Sequence, residues 1–75
     1  MNIAFEELQT DTIYEIHVGA KHYYHGTFKK HVDHLAYFDP LYAIFPEGRV
    51  SYAQGQYFND HRIYKKIEIS NGLNK

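Results

Sequence analysis

Turn chemistry interrupts this chain roughly every 8–12 residues, a spacing that belongs to all-β sandwiches and barrels. The interruptions are Gly19-Ala20-Lys21, Asp33-His34, Asp39-Pro40, Pro46-Glu47-Gly48-Arg49 and Asn59-Asp60-His61-Arg62. Between them, residues alternate with the period of two that puts successive side chains on opposite faces of a strand. Strands are predicted over 12–18, 22–32, 35–38, 41–45, 50–58 and 63–69. In the first, Tyr14, Ile16 and Val18 share one face, and Ile13, Glu15 and His17 share the other. In the second, Tyr24, Gly26, Phe28 and Val32 form the inner series, interrupted by Lys30, and Tyr23, His25, Thr27, Lys29 and His31 the outer one. Glycine inside a strand marks a bend or bulge, so Gly26 and Gly55 are expected to bend their strands. Asn2 is a candidate N-cap for a helical turn over residues 2–8, with Glu6 and Glu7 near its positive end and Ile3, Phe5 and Leu8 covering one end of the sheet.

The expected fold is mostly β: a small antiparallel barrel of five to six strands, SH3-like or Sm-like, opened by a short N-terminal helical turn. The alternative is an antiparallel meander that completes its core by dimerising. One domain covers residues 1–70, and the polar tail 71–75 is expected to fray. Tyr24-His25-Gly26-Thr27-Phe28, then Asp33 and Leu35-Ala36-Tyr37-Phe38, is similar to the bent-strand segment of Sm-like proteins. The Gly-to-Asp spacing of seven is longer than in that pattern. The asparagine that contacts uracil and the apolar-Arg-Gly segment have no counterpart here. The resemblance is therefore one of bend mechanics, and it transfers no RNA-binding residues.

Composition narrows the function. There is no cysteine, so disulfides and Cys-based zinc sites are excluded. No apolar run approaches the roughly 18 residues that span a membrane, and the acidic N-terminal stretch is no signal peptide. A cytoplasmic location is expected, the host cytoplasm if the protein is viral. The net charge of −1 lacks the positive excess of a general nucleic-acid binder. Six histidines make the charge depend on pH near about 6.5.

Eight Tyr and five Phe are more large rings than a 75-residue core encloses, so several tyrosines are expected at the surface. The strip Tyr23, His25, Lys29 and His31, with Lys30 and Tyr37 nearby, combines aromatic and basic groups on one predicted strand face. Such a strip fits a protein interface, with Tyr as anchor, or a single-strand stacking platform. Arg62, Lys65 and Lys66 form a secondary basic patch, and the acidic N-terminal half-face raises self-association as a further expectation.

Catalytic and metal signatures are weak. There is no nucleophile elbow and no phosphate loop, and Ser51 and Ser70 stand outside any triad context. His61, Arg62, Glu47, Arg49 and Tyr57 are residue types a small ribonuclease uses, but they are common together by chance. His22/His25 and His31/His34 are three apart, a spacing that points side chains to opposite faces within a strand. The leading expectation is thus a small non-catalytic, cofactor-free and metal-free protein-binding module, an accessory or inhibitor of a larger complex. A single-stranded nucleic-acid-binding barrel comes second, and a small ribonuclease or metal-binding protein third.

Overall fold

The computed structural model describes residues 2–67. Alternation and turns deliver seven strands: β1 (Asn2–Ile3), β2 (Ile13–His17), β3 (Tyr23–Val32), β4 (Leu35–Ile44), β5 (Val50–Ala53), β6 (Gln56–Asn59) and β7 (Ile63–Lys66). All pairings are antiparallel, in the order β1-β7-β2-β3-β4-β5, with β6 also on β4. The protein is thus a small β protein, and its sheet is open rather than closed into a ring. Asn2 does not cap a helix; it pairs with Lys65, and a 3-10 turn at Phe5–Glu7 follows instead. The predicted tail 71–75 and the end of the last predicted strand lie outside the described residues.

A fold line crosses three strands. On β3 it runs through Thr27–Lys29, on β4 through Asp39-Pro40, and on the last edge through Gln54-Gly55. Two separate strands were expected over 35–45, but β4 runs straight through Pro40. A proline has no N–H to donate, which a ladder tolerates at a bulge, and the partner strand is itself interrupted opposite it. β5 pairs Ala53 with Leu41 and β6 pairs Gln56 with Phe38, so two residues intervene on each strand and the register carries across. The bend at Gly55 thus splits the predicted strand in two, and the Tyr37 ring packs over this glycine.

The bends wrap the sheet around one core. Leu8, Tyr14, Ile16, Phe28, Ala36, Phe38, Leu41, Phe58 and Tyr64 are buried in it. Three strand spacings separate β4 from β7, about 14 Å in a flat sheet. Yet the Phe38 and Tyr64 rings stack at 5.8 Å. The sheet has therefore folded over, bringing its two ends face to face. The chain crosses between those ends in the short turn from β6 to β7, where the Tyr64 hydroxyl donates to the Asn59 carbonyl oxygen at 2.6 Å. Burial pushes the Tyr64 phenol up to about 12, with Asp60 adding to the rise and Arg62 opposing it. Phe5 closes one end by packing on Tyr64, and Leu8 is buried beside it.

Candidate functional site

With Tyr14, Ile16, Tyr24, Leu41 and Tyr64 facing the core, period-two alternation turns their neighbours outward. Registers align these into two rows across five strands. One runs Ile63, His17, Tyr23, Ile44, Val50; the other runs Lys65, Glu15, His25, Tyr42, Tyr52. Tyr52 is 63% exposed, Val50 58%, Ile63 48% and Tyr42 41%. Between these exposed ends, Glu15, His17, Tyr23, His25 and Ile44 are half-buried by their neighbours. The rings touch along the rows: His17 stacks on Tyr23 at 5.2 Å, Tyr23 leans on His25 at 5.6 Å, and Tyr42 meets Tyr52 edge-on at 5.6 Å.

Glu15 organises the polar centre. His17 Nε2–H donates to one carboxylate oxygen at 3.0 Å and His25 Nε2–H to the other at 3.3 Å. Partial burial pushes the Glu15 carboxyl up, but hydrogen bonds from the two imidazoles and their charge outweigh it and hold it below its ordinary value. Lys65 stands opposite Glu15 in register, and Tyr23 and Tyr42 flank the two histidines. A lowered carboxyl contributes stability above its unfolded value of about 4.3 and loses it as pH falls through the folded value. Glu15→Gln is expected to cost about 1 kcal/mol at pH 7. Urea unfolding should show the gap between the two proteins closing below about pH 4.

The expected strip does not stay on one face. Tyr23 and His25 lie in the two rows. At Lys29, β3 carries one extra residue: Phe28 pairs with Phe38, but Lys30 pairs with Tyr37. A one-residue shift sends every later side chain to the other face. Lys30 and Val32 therefore turn outward, while Lys29 reaches Asp11 at 3.0 Å. His31 takes the inner side instead yet stays exposed, its ring 4.8 Å from both Phe5 and Phe28, and its Nε2–H donates to the Phe5 carbonyl oxygen at 2.7 Å. Tyr37 faces outward on the far side of the fold line, against Tyr57 at 4.8 Å.

The secondary basic patch also separates. Arg62 donates to the Val18 carbonyl oxygen at 3.3 Å, and Lys65 joins the outer row. Lys66 pairs with buried Tyr14 and so faces the other side, beside an open cleft that Ile3, Glu6 and Leu8 also line. Of the ribonuclease-type residues, Glu47 and Arg49 sit at one end of β4 and His61 and Arg62 near the other. Among the described residues no group of three or more His, Asp or Glu is arranged to hold a metal ion. Nor is any helix long and apolar enough to cross a membrane.

Tyr42, Tyr52, Ile44, Val50 and Ile63 were not among the expected site residues. Alternation within residues 50–53 already put Val50 and Tyr52 on one face; their meeting with His25 and Tyr23 needed the registers through β4. Comparison with known protein families, curated proteins and solved structures finds no match to this chain.

Proposed function

We propose that this chain is a small, non-catalytic protein-binding module that seats its partner on the outer face of the sheet. It acts as an accessory or inhibitor protein, in the cytoplasm, by occupying a surface of a larger complex. The observation that supports this reading is the pair of outer rows: exposed Tyr42, Tyr52, Val50 and Ile63 around a fixed Glu15–imidazole centre. Rigid aromatic and aliphatic anchors around a few oriented polar groups are what protein interfaces concentrate. The exposed apolar cluster of Tyr42, Val50 and Tyr52 on a small domain itself points to a partner. Phosphate recognition has less support, because Lys65 is the sole Lys or Arg of the two rows and faces Glu15. Both row histidines also donate to that same carboxylate. We read the bent, open sheet as a relative of the small SH3-like barrels, on the strength of its fold line and the ring stack between its two ends.

The test is capture from a lysate of the native cell, with wild type and Tyr42→Glu compared at raised salt after nuclease. Tyr42 is exposed, so the variant should keep its far-UV spectrum. A stoichiometric protein held by wild type should be lost about tenfold or more from the variant. Equal capture by both would remove this face from the account. A catch that vanishes with nuclease would transfer the lead to single-stranded nucleic acid.

A further inference from the structure

The two edges of the sheet are built differently. One ends in β1, two residues long, followed by Glu6 and Glu7. Very short edge strands and nearby charge are devices that block pairing with other chains. The other edge ends in β5, and its outward side has no strand partner among the described residues. Protection there is confined to its ends: β5 is four residues long, Arg49 directly precedes it and the Gln54-Gly55 bend ends it, but no charge or proline lies within it. Residues 50–59, which form β5 and β6, contain no Asp, Glu, Lys, Arg, His or Pro, the longest such run in the chain. Among the described residues, Val50 and Tyr52 on β5 are also the two most exposed large hydrophobic side chains.

We propose that β5 pairs with β5 of a second copy, antiparallel about a two-fold axis, to join two sheets into one. This surface is the sheet's edge, so the inference is independent of what docks on the outer face. Charge selects the occupant. A strand with no charge meets its own twin with no like charges opposed, and a net charge of −1 leaves little repulsion between whole copies. The interface is self-complementary, as a two-fold contact requires. Opposed residues of antiparallel strands share a face, so alternation restricts the axis to a position passing through a residue. Pairing most of β5 places that axis at Ser51 or at Tyr52. With the axis at Ser51, Val50 packs on Tyr52 of the other copy, twice. With it at Tyr52, the two Tyr52 rings meet. Either way the outer rows of the two copies run on from one to the next.

Four residues span about 13 Å and a sheet is about 10 Å thick. The contact thus falls well short of the roughly 800 Å² per partner of a standard interface. Association with a midpoint on the order of 100 μM follows. Sedimentation from about 5 μM to about 1 mM should show the mass rising from the 8.9 kDa of one chain toward twice that value. Ser51 is exposed and lies off the outer rows, so Ser51→Lys inserts an edge charge without touching the docking face. It should hold the single-chain mass throughout, with an unchanged far-UV spectrum and undiminished capture of any outer-face partner. The chain has no cysteine, so single variants Ser51→Cys and Tyr52→Cys report the axis directly. One of them should form a disulfide dimer under mild oxidation at high concentration. A single-chain mass at about 1 mM would overturn the proposal and leave the edge to an extended segment of another protein. Dimers that Ser51→Lys leaves intact, or that neither cysteine traps, would overturn it too.

Discussion

Phe38→Ala is expected to lower the thermal midpoint by about 20 °C, followed by far-UV circular dichroism. Phe38 is fully buried at the fold line of β4. Its ring meets Phe28 at 5.5 Å and Phe58 at 5.9 Å, both edge-on, and stacks on Tyr64 at 5.8 Å. Those contacts tie β3, β6 and β7 to one side chain. Truncating a buried Phe costs about 3–5 kcal/mol. A chain of this length holds only about 4–11 kcal/mol in all. The loss is thus a large share of the total, and a substantial unfolded fraction is expected at 37 °C. Tyr52→Ala supplies the contrast. Its ring is mostly in solvent, so the change should stay within about 0.5 kcal/mol. A Phe38→Ala protein that melted within a few degrees of wild type would mean that the two ends of the sheet do not depend on this stack.

Gly26→Val separates two physical arguments that predict opposite signs. Gly26 lies mid-strand without a positive φ, and valine is favoured over glycine in strands by up to about 1 kcal/mol. Propensity alone therefore predicts stabilisation. Space predicts the reverse. A Cβ at this position would lie 2.5 Å from Leu41 Cδ1, 3.1 Å from Phe38 Cβ and 3.3 Å from Ile16 Cδ1. The Leu41 methyl is the end of a side chain, but it is sealed in the core. The Phe38 Cβ is held by its own backbone. Overpacking of this kind costs about 1–3 kcal/mol for an added methyl, and valine's two γ-carbons take it beyond that range. The expected outcome is a loss of more than about 3 kcal/mol in urea unfolding, with Gly26→Ala falling between. Stabilisation by valine would show that the sheet can relax at its bend.

Which parts were legible in the chain follows the range of each interaction. Alternation placed Tyr14, Ile16, Tyr24 and Phe28 inside and Glu15, His17, Tyr23 and His25 outside, because pleating is a local property. The bend at Gly55 was legible for the same reason, whereas on β3 the fold line falls at Thr27–Lys29, just past Gly26. What failed was long-range. The extra residue at Lys29 exists only relative to β4, so nothing within residues 22–32 distinguishes His31 in the outer series from His31 set against Phe5. Pro40 looked like a strand end because its missing N–H is visible in the sequence, while its alignment opposite the Gln54-Gly55 bend is not. The pair of residues at Asn2 and Ile3 carries no strand signal of its own; β7 supplies it. Part of the candidate site, Glu15, His17, Tyr23 and His25, was readable as the outer series of β2 and β3. The rest arrived from β4, β5 and β7 through registers that no local pattern encodes.

The pairing of β1 with β7 also imposes an order in time. Asn2 meets Lys65 and Ile3 meets Tyr64, so the strand made first waits for a partner made after nearly all of the described chain. At synthesis rates of about 5–20 residues per second, that wait is several seconds. During it, the β2–β3–β4 meander can form from neighbouring hairpins, but Phe38 has no Tyr64 to stack on. The nascent chain then presents its future core together with a bare, uncharged strand to everything around it. Contacts of such long sequence separation also slow folding once the chain is complete. The interval before β7 emerges is thus one of added exposure for this chain.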